Sequence, residues 1–342
     1  MKIGQWLGLI ALVVSLYIVW QIRHLLLLVF TAIVLATALN GMVRFLQRWR
    51  LKRGWAVLLT VVALIVLALA VIWLIVPNLL AQLSELITVL PSALTAIEQG
   101  IDWLEDRIID PYLPNIPDFN WIAIRLQPIV ANLSAQAIAF FASSVNALFE
   151  VFIVLVLTLM LLINPQPYRR ALIRCFPAFY RSRIDEVLTC CATGLEAWTR
   201  GALIEMVFIG TLSGIGLWIL QVPLVLAHAV LAGLLNFIPN VGPTLSAIFP
   251  IAIAFVDEPW KAIAVLVLYI LIQNIESYWL TPTVMANQVA LLPAVTLTAQ
   301  IFFTTFFGAL GLLMAIPLAV VTKTWLEEVV FKDILDRWKK PI

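Results

Sequence analysis

Residues 237–243 read Phe-Ile-Pro-Asn-Val-Gly-Pro, inside a run from Met206 to Val256 that holds no formally charged side chain. The run has the composition of membrane helices, and the heptapeptide has the composition least able to continue one. Each proline removes a backbone donor and clashes with the preceding turn, and glycine adds backbone entropy. Lipid cannot hydrate the freed carbonyls and amides. A break of this kind therefore persists only against protein or a water-filled cavity, and it marks a polar site at membrane depth.

The rest of the chain supports a membrane setting. Of its 342 residues 63% are hydrophobic and 12% charged, against roughly 45–50% and 25% in soluble domains. Mean hydropathy is +1.05. The fold class is all-α, a polytopic helical protein in the lipid bilayer, because the apolar runs are too long for β-barrel strands of about ten alternating residues. A net charge of +2, with no basic stripe, leaves no surface for nucleic acid. Met1-Lys2 and the apolar run after it have the look of a signal peptide. Gln21-Ile22-Arg23-His24 offers no small-residue cleavage site, however, and a second apolar run follows at once, so the first span reads as uncleaved. Cys175, Cys190 and Cys191 share one segment, and the neighbours Cys190 and Cys191 make a poor structural disulfide, so reduced thiols are expected.

A span needs about 20 mostly apolar residues, and the windows 4–21, 25–43, 54–77, 147–164, 201–221, 223–256, 261–280 and 293–322 qualify. This gives about eight transmembrane helices, with 223–256 a composite. Its halves, 223–236 and 243–256, are each too short to cross about 30 Å at 1.5 Å per residue. They form either one broken span or a re-entrant hairpin. Residues 1–77 then hold three N-terminal transmembrane helices, and 78–146 an extracytoplasmic amphipathic helical segment. Residues 147–200 hold a span and a basic cytoplasmic helix, 201–322 a transmembrane bundle, and 323–342 a cytoplasmic amphipathic tail.

Charge sets the orientation. Arg44, Arg48, Arg50, Lys52 and Arg53 carry one loop, and six arginines outnumber three acids over 164–200, so both segments face the cytoplasm. Seven acids face only Arg107 and Arg125 over 78–145, the outer side. There Leu83, Leu86, Ile87 and Leu90 keep helical spacing, and three prolines break the chain at Asp110–Asp118. A broken 223–256 span leaves both termini cytoplasmic. A hairpin puts the C-terminus outside unless a further segment also turns back. The tail's Lys323, Lys332, Arg337, Lys339 and Lys340 favour cytoplasmic termini.

Charges inside the spans are sparse. Glu205 is the sole formal charge between Arg200 and Asp257, and Glu276 between Lys261 and Lys323. An ionised carboxylate in hydrocarbon is costly enough to need a partner, water or a proton. Glu205, one turn inside the membrane, is placed to snorkel toward Arg200. Gln273, Glu276 and Ser277 share a face by helical spacing, with Asn274 adjacent. Two roles fit Glu276: an interhelical clamp, or a carboxylate that couples protons or contacts solute. His228 lies two turns before Asn236 and is read as a packing residue or a proton relay. Gly210 and Gly214, and Gly308 and Gly311, have the small-residue spacing that lets helices approach closely. No protease helix, nucleophile elbow, Walker loop or dinucleotide fingerprint occurs, so neither enzyme activity, cofactor nor metal site is expected.

Gly233-Leu-Leu-Asn-Phe-Ile-Pro-Asn-Val-Gly-Pro243, then Gln273, Glu276, Leu280, Pro282 and Met285, then Leu292-Pro293, Phe307-Gly308, Gly311 and Ala315-Ile-Pro317 together resemble the autoinducer-2 exporter family of bacterial permeases. The likeness is specific over the last 140 or so residues and architectural before them. It implies a multi-pass inner-membrane permease and a homo-oligomer. It also implies that Pro239, Gly242 and Pro243 form the membrane break, with Gln273, Glu276 and Pro282 near it. The family is linked both to release of a quorum-sensing furanone and to sodium (or lithium)/proton exchange. The chain departs from the family pattern at Leu292, where histidine is common, at Ala286, where glycine is usual, and at Gln221, where glycine is frequent before Pro223.

Two classes follow. One is a secondary transporter in which Asn236, Asn240, Gln273 and Asn274 meet a small polar solute or a monovalent cation, with Glu276, Glu205 and His228 as proton-coupling candidates. The other is a non-transporting scaffold whose break is a packing kink and whose Leu326, Val330, Ile334, Trp338 stripe binds partners.

Overall fold

A computed structural model describes residues 10, 13–15, 17–75, 77–78, 144–285 and 292–336. The expected outer segment, most of the 4–21 span, Ala286 and Trp338 lie outside the described residues. Those described form helices and turns with no strand. In chain order they are α1 (Arg23–Arg48), α2 (Arg53–Ile75), α3 (Ser144–Ile163), α4 (Pro165–Arg174), α5 (Arg181–Ile219), α6 (Val225–Leu235), α7 (Val241–Asp257), α8 (Pro259–Ile275) and α9 (Pro293–Trp325). Helix α8 continues through a π-turn over Glu276–Leu280 into Thr281–Met285.

Five described helices are long and apolar enough to cross a bilayer, and six if the bent pair α3–α4 counts as one span. Of the eight expected windows, 4–21 lies mostly outside the described residues and 223–256 consists of two shorter apolar helices. Large apolar side chains such as Val207, Trp218 and Leu226 are exposed, as lipid-facing residues must be. The 94° bend between α3 and α4 follows from Pro165, which pushes Asn164 out of the helical region to φ −147°.

The chain divides into two compact units. One comprises Met1–Ile65, Leu148–Ala202 and Val284–Ile342, the other Val66–Ala147 and Leu203–Thr283. In the first, α1 and α2 pack through Ala36, Val43, Ala56, Val57 and Val61 with Leu162 of α3. Arg53 donates to the Leu162 carbonyl at 2.9 Å, which satisfies an otherwise orphaned C-terminal acceptor of α3. His24 Nε2 meets Glu150 Oε1 at 3.0 Å.

Helix α9 is not one rod. Gly308 sits at φ +64°, ψ −146°, backbone that only glycine adopts freely. Residues Leu292–Phe303 before it and Ala319–Phe331 after it line one apolar cavity of about 840 Å³. In a straight helix Ala299 and Ala319 would stand about 30 Å apart, so the two arms fold back on each other as a helical hairpin. The single 293–322 span is thereby corrected. A Cβ on Gly311 would lie 2.1 Å from the Phe303 carbonyl, so Gly311 serves close approach, whereas Gly308 has nothing within 4 Å and serves the turn.

Polar chemistry gathers where α5 begins. Arg183 bonds Asp333 at 3.0 Å and Glu328 at 2.9 Å, and the Tyr180 hydroxyl donates to Asp333 at 2.7 Å. Arg44 of α1 pairs with Glu196 of α5. Helix α5 thus ties the tail at its start and the last turns of α1 farther along.

Candidate functional site

The second unit is built from the apolar part of α5 with α6, α7 and α8. Leu217 and Val222 beyond the end of α5 cluster with Ala254 at the end of α7, Ala262 at the start of α8, and Val265 and Tyr269. Val225, at the start of α6, packs on the same cluster. The entry of α6 and the exit of α7 therefore lie at one end of the unit. The composite 223–256 is a helical hairpin rather than one broken rod.

Its tip is the Phe237–Pro243 break. Asn236 ends α6, the Gly242 N–H donates to the Ile238 carbonyl at 2.8 Å, and Asn240 turns the chain at φ +66°. Gly242 is buried against the last turn of α6: a Cβ there would lie 1.8 Å from the Leu235 carbonyl oxygen. No other residue fits without moving backbone. The Thr244 hydroxyl bonds the Asn240 carbonyl at 2.9 Å and the Ser246 hydroxyl the Pro243 carbonyl at 3.0 Å, so these side chains serve the acceptors freed by the break.

Three polar contacts hold the tip end of the unit. Asn236 Nδ2 donates to Glu276 Oε1 at 3.0 Å, and Gln273 Nε2 donates to Glu276 Oε2 at 3.1 Å. Thr281 Oγ1 donates to Glu205 Oε1 at 3.1 Å. Both carboxyl groups are buried, each residue 9% exposed, and Thr281 joins the two residues, its hydroxyl on Glu205 and its N–H on the Glu276 carbonyl. The π-turn begins at Glu276, with the Thr281 N–H bonded to the Glu276 carbonyl. Insertions of this type inside helices mark functional positions. Here the extra residue brings Glu276 and Thr281 to the same neighbourhood as Asn236 and Glu205. Asn236 Oδ1, also buried, has no partner among the described residues, so the cluster keeps one acceptor in hand.

The remaining candidates divide. Pro239 and Pro243 are partly buried in the tip. Asn240, Asn274 and Pro282 are exposed. Asn274 bonds its own backbone at Ile270, 2.7 Å away, and so faces away from the carboxylate. Ser277 is exposed too, because the π-turn rotates it off the Gln273–Glu276 face. Glu205 does not reach for Arg200, which pairs with Glu196; it turns inward to Thr281. His228 is fully buried on α6, two turns or about 12 Å from Asn236, and is not part of the carboxylate cluster.

Gly210 and Gly214 do pack α5 on α6. A Cβ at Gly210 would stand 3.0 Å from the Ala229 carbonyl, and one at Gly214 3.1 Å from the Ala229 Cβ. Gly233, 2.6 Å by the same measure from the Met206 carbonyl, completes the crossing. Its place in the Gly233–Pro243 motif pointed to the break rather than to packing. Thr281 was missed altogether, since a threonine beside Pro282 carries no signal until Glu205 is found opposite it.

A family model described as AI-2E family transporter matches residues 9–331 of the chain. The AI-2 transport protein TqsA of Escherichia coli is 27% identical over 324 residues, covering 87% of this chain and 84% of that protein. YueF of Bacillus subtilis is 24% identical, covering 85% of this chain and 80% of its own length. YhhT of Escherichia coli is 23% identical, covering 90% and 84%. The names of the last two assign transport only provisionally.

Proposed function

We propose, given that this chain belongs to the AI-2E family of transporters, that it moves a small polar solute of the autoinducer-2 type across the bacterial inner membrane by secondary transport. The solute site is the Asn236–Gln273–Glu276 cluster at the hairpin tip. The observation that carries this reading is the Asn236–Glu276 bond: a break with no reason to exist in lipid is held against a buried carboxylate 40 residues away in sequence. Carboxylate and amides together offer donors and acceptors to a neutral, hydroxyl-rich molecule. Half-helix ends and unwound carbonyls are how transporters build such sites. The name of TqsA, which specifies AI-2, supports the solute class.

The orientation we propose follows from charge. The α1–α2 loop, the start of α5 and the tail are cytoplasmic by their basic residues. Each hairpin returns the chain to the side it entered, leaving α5 and α8 as the crossings between Arg200 and Lys323. Both termini are then cytoplasmic, because α9 is the further segment that turns back. A hairpin that enters from the outer side has its tip directed toward the cytoplasm.

A second reading, exchange of sodium or lithium for protons, is favoured by one observation, that two buried carboxyl residues, Glu205 and Glu276, are joined through Thr281. Flux into proteoliposomes separates the two. Autoinducer-2, sodium and lithium are each followed under imposed proton gradients, with wild-type protein and Glu276→Gln. Autoinducer-2 flux that falls at least tenfold in the variant supports the first reading, and cation-driven proton movement lost in the variant supports the second. If none of the three moves, the solute assignment fails. Flux indifferent to Glu276→Gln removes the site.

A further inference from the structure

Helices α5, α6 and α8 of the second unit each carry two buried polar residues along their path. Helix α5 bears Glu205 and Ser213, α6 bears His228 and Asn236, and α8 bears Tyr269 followed by Glu276. In each pair the members are seven or eight residues apart, two helical turns or about 11–12 Å. One member of each pair belongs to the tip-end polar cluster already described. The others form a second level toward the opposite end of the unit.

Several contacts place these three side chains at one depth. The Tyr269 hydroxyl faces Ser213. Gly214 and Ala229, the next residues after Ser213 and His228, meet where α5 crosses α6. Tyr269 packs in the cluster that holds Leu217 and Val265. Ser213 and His228 are 0% exposed and Tyr269 9%. The Ser213 and Tyr269 hydroxyls have each other, and both ring nitrogens of His228 have no hydrogen-bond partner among the described residues. Two unpartnered ring nitrogens beside a pair of hydroxyls at one level of the bundle are unusual, since buried polar groups are almost always paired by protein or by water. His228 is also kept off the groove that α5 and α6 present outward, which is lined by Gly210, Gly214, Val225, Leu226, Ala229 and Gly233. Its ring is directed to the interior instead.

We propose that Ser213, His228 and Tyr269 form a second, wetted station on the permeation path: it holds water and takes up the hydroxyl groups of a neutral polar solute as it passes between the hairpin tip and the far end of the unit. Two hydroxyls and an imidazole, each able to donate and accept, suit an uncharged hydroxyl-bearing molecule and give no fixed charge to trap a cation. The proposal rests on the transport reading above. It adds residues that reading does not use.

X-ray radiolytic footprinting of the full-length protein, read by mass spectrometry, tests the wetting without any solute, because ordered water oxidises the side chains beside it. After each rate is divided by the intrinsic hydroxyl-radical reactivity of its residue type, Tyr269 and His228 are expected to be modified at least tenfold faster than Leu217 and Val265. Absence of modification at both Tyr269 and His228 overturns the proposal. Autoinducer-2 flux through Tyr269→Phe and Ser213→Ala then tests the path: at least fivefold slower flux at an unchanged melting temperature is expected. Unchanged flux in both variants, with Tyr269→Phe melting at or above wild type, identifies dry packing and also overturns it. Should the wild type fail to move autoinducer-2, the solute assignment falls while the footprint still decides whether the level is wet.

Discussion

Gly242→Ala should disable the protein more than a methyl group added at any other described glycine. The new Cβ would stand 1.8 Å from the Leu235 carbonyl oxygen, 2.4 Å from that carbonyl carbon and 3.0 Å from the Asn236 nitrogen. All three are backbone atoms of the last turn of α6, so no rotamer change relieves the clash. The tip must open by more than an ångström. Overpacking of this kind costs about 1–3 kcal/mol in ordinary cores, and a backbone-on-backbone clash belongs at the upper end, about 3 kcal/mol. The same displacement carries Asn236 away from Glu276, now 3.0 Å apart. A misplacement of about 1 Å at a functional site can cost on the order of a hundredfold in rate. The assay pairs thermal unfolding in detergent, followed by tryptophan fluorescence, with flux in proteoliposomes. Gly54→Ala is the control: nothing lies within 4 Å of its Cβ and the position is helical, so stability should hold or rise by up to about 1 kcal/mol. A Gly242→Ala protein that melts with the wild type and transports at its rate would refute the hairpin-tip geometry.

Other positions give sharper backbone and ion-pair tests. Gln221 holds φ +56°, so Gln221→Gly should stabilise by about 1 kcal/mol, read as a higher melting temperature. Gly308→Ala forces an L-residue into φ +64°, ψ −146°. It should cost about 1–3 kcal/mol and lower the melting temperature. Arg183→Ala removes the bonds to Glu328 and Asp333, whose side chains are 14% and 11% exposed. A loss of about 1–2 kcal/mol, between exposed and buried pairs, should appear as faster tryptic cleavage after Lys332.

The sequence showed where helices fail when proline or charge said so. The Pro239–Pro243 break, the basic loops and the spans matching α1, α2, α3, α5 and α8 were all legible, and so was the Gln273–Glu276 pair, a matter of local helical spacing. Whether the break made a kinked span or a hairpin was not legible, because that depends on Val222 and Val225 meeting Ala254 and Ala262, contacts no periodicity encodes. The fold-back of α9 was hidden for a different reason. Gly308 and Gly311 carry the spacing of a packing face, and only a positive φ at Gly308 distinguishes a turn. Pro317, the stronger apparent breaker, stays inside the helix. Glu205 looked bound for nearby Arg200, yet its partner is Thr281, 76 residues on. The π-turn that rotates Ser277 outward has no signature in the sequence.

Accessibility at the tip tests the central claim most directly, that the break is a re-entrant hairpin holding a polar site open to the cytoplasmic end. Asn240 is exposed at the turn, and Asn240→Cys can be placed in a background with Cys175, Cys190 and Cys191 replaced by alanine. A membrane-impermeant thiol reagent is applied to oriented vesicles from either face. The account predicts labelling from the face bearing the basic segments, slowed several-fold by saturating autoinducer-2. Labelling only from the opposite face, or none from either, would contradict it.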